Sequence, residues 1–330
     1  MKHRAAAVLA LAVALSVTLG WAGESQGEEK ISRVGILTFI ATTDDPTLKQ
    51  WMEPFRRTLA QQGWVEGKNV VFEYRSALGD PSQLAEAAAE LVRLKVNVIW
   101  AQGAPLVRAA QAATRTIPIV AVDFTTDPVA EGYVASYGRP GGNLTGVFLD
   151  APEFASKWLE LLKALVPGLS RVAVLWDPSP GRAHLRAVQS VSRSLRLQLQ
   201  VLEVRKPDDI ARAFSGLRGR PQALIILPSP TIYVQSVRLA KLAMEHRLPA
   251  TSMAHGFAEA GGVLSYGPDT TSTNERCGFL VGKILSGANP TDLPVERPTK
   301  IQLVVNQKAG KALGITIPES ILLRADEVIR

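Results

Sequence analysis

The chain has 330 residues, of which 46% are hydrophobic and 20% are charged. It can therefore bury a sizeable core, and wholesale disorder is excluded. The single cysteine excludes an internal disulfide framework and any metal site built from several cysteines, and the net charge of +7 is spread without a Lys/Arg run, so we expect no nucleic-acid partner.

The N-terminus has the pattern of a secretory signal peptide. Lys2 and Arg4 form a basic start, residues 5–20 are an apolar run, and Gly20, Trp21 and Ala22 offer a small-x-small cleavage site. The alternative is a retained membrane anchor, but the run is shorter than the roughly 20 residues that a spanning helix needs. We expect residues 1–22 to be a signal peptide and the mature chain to lie in the periplasm.

Short β-branched runs alternate with helical periodicities in the first half of the chain. The predicted strands are residues 34–37, 70–74, 96–100 and 117–122, and the predicted helices are residues 48–59, 84–92 and 105–114. A turn-rich stretch, residues 138–146, and a short strand, residues 147–149, lead out of this half.

The second half repeats the pattern after a helix that we place over residues 154–165. The predicted strands here are residues 171–176, 199–204, 223–227, 248–252, 263–266 and 301–305, and the predicted helices are residues 182–195, 210–217, 232–246 and 277–284. Strands that alternate with helices indicate two parallel sheets, each covered on both faces.

The motifs of several enzyme and cofactor classes are absent from the sequence. No glycine-rich phosphate loop, no nucleophile elbow after a predicted strand and no zinc-protease motif occurs. His255 with Asp123 or Asp177 is the only acid/base pair worth naming. We therefore expect no cofactor, no metal and no catalysis. Cys277 shares the apolar face of its predicted helix, which favours a buried, inert thiol.

Polar, small and aromatic residues follow nearly every predicted strand in both halves. Ligands of open parallel sheets bind beyond the carboxyl ends of the strands, so these residues form the predicted binding site. They are Thr38, Phe39, Thr42, Gln102, Gly103, Ala104, Asp123, Phe124, Trp176, Asp177, Ser229, His255 and Tyr266.

Each kind of residue in this set suits one part of a small organic ligand. The small side chains of Gly103 and Ala104 let a carboxylate approach the free amides of the helix that follows. The hydroxyls of Thr42 and Ser229 are further donors, and Asp123 or Asp177 is an acceptor for an ammonium group. Phe39, Phe124, Trp176 and Tyr266 are predicted to sandwich the apolar body.

Six segments carry a resemblance to a known family. They are RVGIL (33–37), GWVEGKNV (63–70), LVRLKVNVI (91–99), RPGGNLTG (139–146), EAGG with SYGP (259–262 and 265–268), and LGITIP (313–318). The chain resembles the ABC transporter substrate-binding proteins of the type I periplasmic fold, a family that includes tryptophan- and tyrosine-type binding proteins. The resemblance covers nearly the whole mature chain.

The resemblance implies an α/β fold with two doubly wound parallel-sheet lobes joined by a three-crossover hinge. It places lobe one at residues 32–148 plus 268–297 and lobe two at residues 149–267 plus 298–330. The implied function is a monomeric periplasmic receptor that captures a carboxylate-bearing amino acid or aromatic or aliphatic acid and delivers it to an inner-membrane ABC permease. The alternatives are a ligand sensor for a signalling partner and a periplasmic enzyme.

Overall fold

Strands and helices alternate along the chain, as the hydrophobic periodicities predict. The computed structural model describes residues 31–40, 42–77, 80–149 and 154–330, and the predicted signal peptide, residues 1–22, lies outside them. Ser32–Arg330 form one compact unit that holds two sheets.

The first lobe is a five-stranded parallel sheet in the order β2-β1-β3-β4-β5. Its strands are β1 (Ser32–Thr38), β2 (Val70–Ser76), β3 (Val98–Gln102), β4 (Ile119–Asp123) and β5 (Leu144–Phe148). The helices between these strands are α1 (Pro46–Gln61), α2 (Leu84–Arg93) and α3 (Ala104–Ala113). Strands β4 and β5 are buried at every residue, which is typical of parallel strands covered on both faces.

The second lobe is built on a seven-stranded sheet in the order β12-β11-β10-β9-β8-β6-β7. Its strands are β6 (Arg171–Trp176), β7 (Gln198–Glu203), β8 (Ala223–Ile226), β9 (Ala250–Ser252), β10 (Leu264–Pro268), β11 (Ile301–Asn306) and β12 (Glu327–Ile329). The helices of this lobe are α4 (Phe154–Leu165), α5 (Ala183–Ser194), α6 (Asp209–Ser215), α7 (Pro230–Tyr233), α8 (Ser236–Glu245) and α9 (His255–Glu259).

The chain passes between the lobes three times. It enters the second lobe after β5, and it returns after β10 to form α10 (Thr270–Leu285), which packs against α1 and against β3, β4 and β5 of the first lobe. It crosses again before β11, and α11 (Gln307–Ala312) and α12 (Glu319–Leu322) complete the second lobe. The fold is therefore the two-lobed α/β architecture with a three-crossover hinge. The residue boundaries given for the lobes stay a prediction.

Side-chain caps begin the two long helices of the first lobe. The Asp45 carboxylate accepts from the amide of Thr47 (2.8 Å), and Pro46 occupies the first helical turn, where its missing N–H costs nothing. The Asp269 carboxylate accepts from the Ser272 amide (2.7 Å) at the start of α10. Among the described residues, no helix is long and apolar enough to cross a bilayer.

The structure departs from the predicted elements in three places. The predicted helix at residues 232–246 is two helices, α7 and α8, because the chain turns at Val234 and Gln235. Strand β11 runs antiparallel to β10, so the second sheet is not wholly parallel. Helix α9 and strand β12 were not predicted, because five- and three-residue elements are too short to show a period.

Candidate ligand-binding cleft

A cleft with a volume of about 590 Å³ opens where the carboxyl ends of the strands of the two lobes face each other. The first lobe contributes the ends of β1, β3 and β4 and parts of α1 and α10, and the second lobe contributes the residues that follow β8 and β9. This volume is within the usual range for small-molecule sites.

The first-lobe wall of the cleft is aromatic. Phe39, Trp51, Trp100 and Phe124 line it. Trp100 is 2% exposed and stacks on Phe55 with 5.0 Å between ring centroids, so its ring is held by the core behind it. Phe124 packs against the core clusters of both lobes. These rings provide a pre-formed apolar surface.

Asp123 is the last residue of β4, and it also lines the cleft. Its Oδ1 accepts from the amide (2.8 Å) and the hydroxyl (2.6 Å) of Thr125, and its Oδ2 accepts from the Thr126 hydroxyl (2.5 Å). Complete burial raises the pKa of the Asp123 carboxyl to about 6, although these hydrogen bonds oppose the shift. Burial, with the Asp123 charge as a smaller cause, also raises the pKa of Tyr233, which lines the cleft from the other lobe.

The second-lobe wall carries ionisable groups. His255 and Glu259 are one helical turn apart on α9, and Glu327 is on β12. Ser265 holds α9 in place, because its hydroxyl donates to the His255 carbonyl (3.1 Å) and accepts from the Ala258 amide (3.1 Å). His255 Nε2 is 3.2 Å from Glu327 Oε2, and His255 Nδ1 is 3.6 Å from Glu259 Oε1. These three residues form the candidate metal-binding group of the described part of the chain.

The two lobes touch at the rim of the cleft. Gly103 precedes α3 with φ +103°, and a Cβ there would lie 2.3 Å from Cγ of Pro230 in the second lobe. Only glycine fits this position, because both the backbone conformation and the neighbouring ring exclude a side chain. The Arg108 guanidinium, one turn into α3, donates across the gap to the Ser179 carbonyl. The two lobes are therefore in direct contact on this side of the cleft.

Asn274 on α10 adds a buried acceptor to the cleft. The residue has no exposed surface, and its Nδ2 donates to the Trp51 carbonyl (3.1 Å). A carbonyl oxygen only accepts, so the orientation of the amide is fixed. Oδ1 is buried and has no hydrogen-bond partner among the described residues.

The structure brings most of the predicted site residues together. Those that line the cleft are Thr38, Phe39, Gln102, Gly103, Asp123, Phe124, Ser229 and His255. They lie at the ends of strands from both sheets, where parallel topology places a ligand. Their contact with a ligand stays a prediction.

The other predicted residues do not line this cleft. Trp176 is packed in the second-lobe core, with its Nε1 donating to the Gly181 carbonyl (3.1 Å). Asp177 accepts from the hydroxyls of Ser179 and Ser229, so it joins two loops. Tyr266 packs against Phe154. Ala104 is buried in the first turn of α3, and Thr42 is exposed.

Several lining residues escaped sequence reasoning. They are Trp51, Trp100, Tyr233, Glu259, Asn274 and Glu327. Trp100 was predicted to be the last residue of its strand, a position that could have marked it. The others lie on helices or on the unpredicted β12, where nothing in the local sequence separates a cleft-facing side chain from any other.

Comparisons with known proteins agree with this architecture. Residues 33–329 match the family described as ABC transporter substrate binding protein. A tyrosine-binding protein of Clostridioides difficile is 26% identical over 292 residues, which cover 87% of this chain and 82% of the relative. The crystal structure of a Streptococcus pneumonia ABC domain in complex with L-Trp has a TM-score of 0.80 and 25% identity, and covers 91% of this chain and all of that one. A conserved domain protein from Vibrio cholerae has a TM-score of 0.81 and 26% identity, with the same coverage.

Proposed function

This chain belongs to the ABC transporter substrate binding protein family, and we propose that it captures an aromatic amino acid between its two lobes and delivers it to an ABC permease. The observation that carries this proposal is the cleft itself, which is lined by strand ends of both lobes and walled by four aromatic rings. The names of the related proteins, which bind tyrosine and L-Trp, support the ligand class.

Different regions of the cleft suit the aromatic side chain and the carboxylate of such a ligand. The aromatic side chain would lie against Phe39, Trp51, Trp100 and Phe124. The start of α3 is suited to the carboxylate, because Gly103 and Leu106 line the cleft there and the helix dipole favours negative charge. Contacts from both lobes would stabilise the closed state, so closure would report occupancy to the permease.

The proposed location is the periplasm, reached through the signal peptide at residues 1–22, and the proposed active form is a monomer. We propose no enzymatic role, because the cleft needs only to hold and release its ligand for this function. The hydrogen bonds of Asp123 to Thr125 and Thr126 support a structural role for this carboxyl group.

Calorimetric titration of the purified protein with the twenty amino acids tests the proposal. We expect tryptophan or tyrosine to bind with micromolar or tighter affinity and aliphatic amino acids to bind at least about tenfold more weakly, because the rings add a large apolar contact. Trp51→Ala should weaken binding. The matched control is Trp64→Ala, because Trp64 is also partly buried on the first lobe but lies outside the cleft, with its Nε1 near Ser286. Failure of every amino acid to bind would overturn the proposed ligand class.

A further inference from the structure

Four neighbouring strands of the second sheet each begin beside an arginine. The strands are β9, β8, β6 and β7, which are adjacent in that order. The arginines are Arg247 before β9, Arg220 before β8, Arg171 at the start of β6 and Arg196 before β7. Because neighbouring strands are about 4.8 Å apart, these four residues, here called the arginine row, extend over about 15 Å.

The register of the sheet places the arginine row at one level. The paired residues are Arg171 with Gln198, Val172 with Ala223, and Leu224 with Ala250. The four arginines therefore lie within two residue positions of one another along the strand direction. The Arg171 guanidinium also donates to the Arg220 carbonyl (3.1 Å). The row is at the amino ends of the strands, whereas the cleft is at their carboxyl ends.

The protein does not neutralise the charge of the arginine row. The segments that lead into the four strands contain no Asp or Glu; they are residues 166–170, 195–197, 216–222 and 246–249. Glu245 ends α8 beside one of these segments, and it pairs with Lys241. In the part of the chain that the structure describes, no arginine of the row forms an ion pair. Arg171 is partly exposed and the other three are exposed, so their charge is open to a partner.

Three members of the row have a backbone conformation that favours glycine. Arg196, Arg220 and Arg247 have φ of 56°, 49° and 53°. A cation near the C-terminal end of a helix is favourable, and this accounts for Arg196 and Arg247, which follow α5 and α8 within two residues. It does not account for Arg220, which is five residues beyond α6. Strained positions that keep a charged side chain indicate a function for the charge.

We infer that the arginine row binds an anionic phospholipid membrane. The planar guanidinium group matches a phosphate group, to which it donates two parallel hydrogen bonds. Clusters of basic residues near a bilayer are attracted by its anionic lipids. Nucleic acid offers the same phosphate chemistry, but a protein exported to the periplasm meets membrane surfaces there.

Membrane binding by the row would leave the cleft accessible, because the two lie at opposite ends of the second-lobe strands. The protein would then be concentrated near a membrane permease while it captures its ligand. The inference uses the proposed periplasmic location, but it needs no particular ligand in the cleft. It can therefore fail while the proposed ligand capture stands.

Co-sedimentation with lipid vesicles tests the inference. The protein used is residues 23–330, which include the compact unit Ser32–Arg330 and lack the apolar N-terminal run that would itself bind lipid. Vesicles of phosphatidylcholine alone are compared with vesicles that contain about one third phosphatidylglycerol, an anionic lipid. We expect binding to the anionic vesicles to be at least about tenfold tighter at about 0.05 M salt, and this preference to vanish at about 0.5 M, because salt screens exposed charges.

A triple variant assigns the binding to the row. Arg196→Asn, Arg220→Asn and Arg247→Asn together remove three charges, and the fold should be unaffected because asparagine tolerates positive φ. Binding to anionic vesicles should weaken at least about thirtyfold, since each basic residue near such a surface contributes roughly fivefold. Calorimetric titration of this variant with tryptophan or tyrosine should match the wild type, because the row is remote from the cleft.

The matched control removes the same charge from the first lobe. It combines Lys68→Asn, Lys95→Asn and Arg139→Asn, which are exposed positions. Lys95 also has a positive φ, of 51°. We expect this variant to bind anionic vesicles within about threefold of the wild type, because its arginine row is intact.

The possible results separate the row from the overall basic charge of the protein. Equal binding of the wild type to both kinds of vesicle, or an equal loss in the two triple variants, would overturn the inference. Tighter binding to a duplex oligonucleotide than to anionic vesicles at the same salt concentration would overturn it in favour of a nucleic-acid partner. If the row variant does not fold, the wild type still decides, through the lipid preference and its loss at high salt.

Discussion

The two walls of the cleft differ in how much of the fold depends on them. The first-lobe wall is made of side chains that also belong to the core, such as Phe39 and Trp100. The second-lobe wall presents partly exposed groups on short elements, Glu259 on α9 and Glu327 on β12. The side chains of the first-lobe wall are therefore held in place by the core. The charged side chains of the second-lobe wall, here called the charged wall, can be substituted for a different ligand without loss of the fold.

The largest contrast between the walls should appear in stability. Trp100→Ala removes a buried ring that stacks on Phe55, and we expect it to lower the free energy of unfolding by about 3 to 5 kcal/mol. Glu327→Ala removes a half-exposed group and should change the same quantity by less than about 0.5 kcal/mol. Chemical denaturation of the two variants measures both values. Equal losses would mean that the charged wall is as much a part of the fold as the aromatic wall.

The contact between the two lobes should give the second-largest effect, which is on ligand affinity. In Gly103→Ala the added methyl group would meet the Pro230 ring, so the closed state is disfavoured and ligand affinity should fall by about a hundredfold. Gly287→Ala is the control, because Gly287 has a similar φ of +98° but open space around its Cα. Calorimetric titration of both variants with the same ligand measures the two affinities. The account is wrong on this point if both lose affinity equally.

A smaller difference is expected between the buried carboxyl group of Asp123 and the half-exposed one of Glu327, in how stability depends on pH. Burial holds the pKa of Asp123 at about 6, above its ordinary 3.8. The native state therefore binds more protons than the unfolded state between about pH 4 and pH 6, and this group makes the protein less stable as pH rises through that window. Asp123→Asn removes the effect, so the stability of the variant relative to wild type should improve by about 2 kcal/mol between pH 4 and pH 7.

The difference between variant and wild type is what tests this prediction, because the other carboxyl groups titrate equally in both proteins. Urea denaturation at several pH values provides it. A difference that stays constant across the window would show that Asp123 is ionised in the folded protein at all these pH values. Glu327→Gln, at a half-exposed position, gives the comparison from the other wall.

The fold could be predicted from the sequence because two patterns extend over long segments. These are the helical spacing of hydrophobic residues and the alternation of strands with helices along the chain. The three helical periods of the first half and the helix at residues 154–165 match α1 to α4 closely. The two-lobed architecture was implied by the family resemblance, whereas the order of the strands in each sheet was not predicted. Helix α9, strand β12 and the break between α7 and α8 lacked a signal, because they are short or irregular.

The candidate site was predictable only where it consists of strand ends. Phe39 and Asp123 were found that way, but the same rule also selected Trp176, which the structure packs into the second-lobe core. A strand end can face the cleft or the helices behind it, and the local sequence does not decide between them. His255 of the second-lobe wall was predicted, but Glu327 was missed because it approaches His255 through β12, a contact between residues 72 positions apart.

The central claim, that the lobes close on a ligand, is tested most directly by a distance measured between them. The native Cys277 is buried, and burial raises the pKa of its thiol to about 12, so it should resist labelling. Spin labels at Lys49→Cys and Lys241→Cys, both exposed and on different lobes, would then report the separation by double electron–electron resonance. We predict that saturating tryptophan or tyrosine, whichever binds, shifts the distances to a single shorter and narrower distribution. An unchanged distribution, at a concentration where calorimetry shows full binding, would contradict the claim.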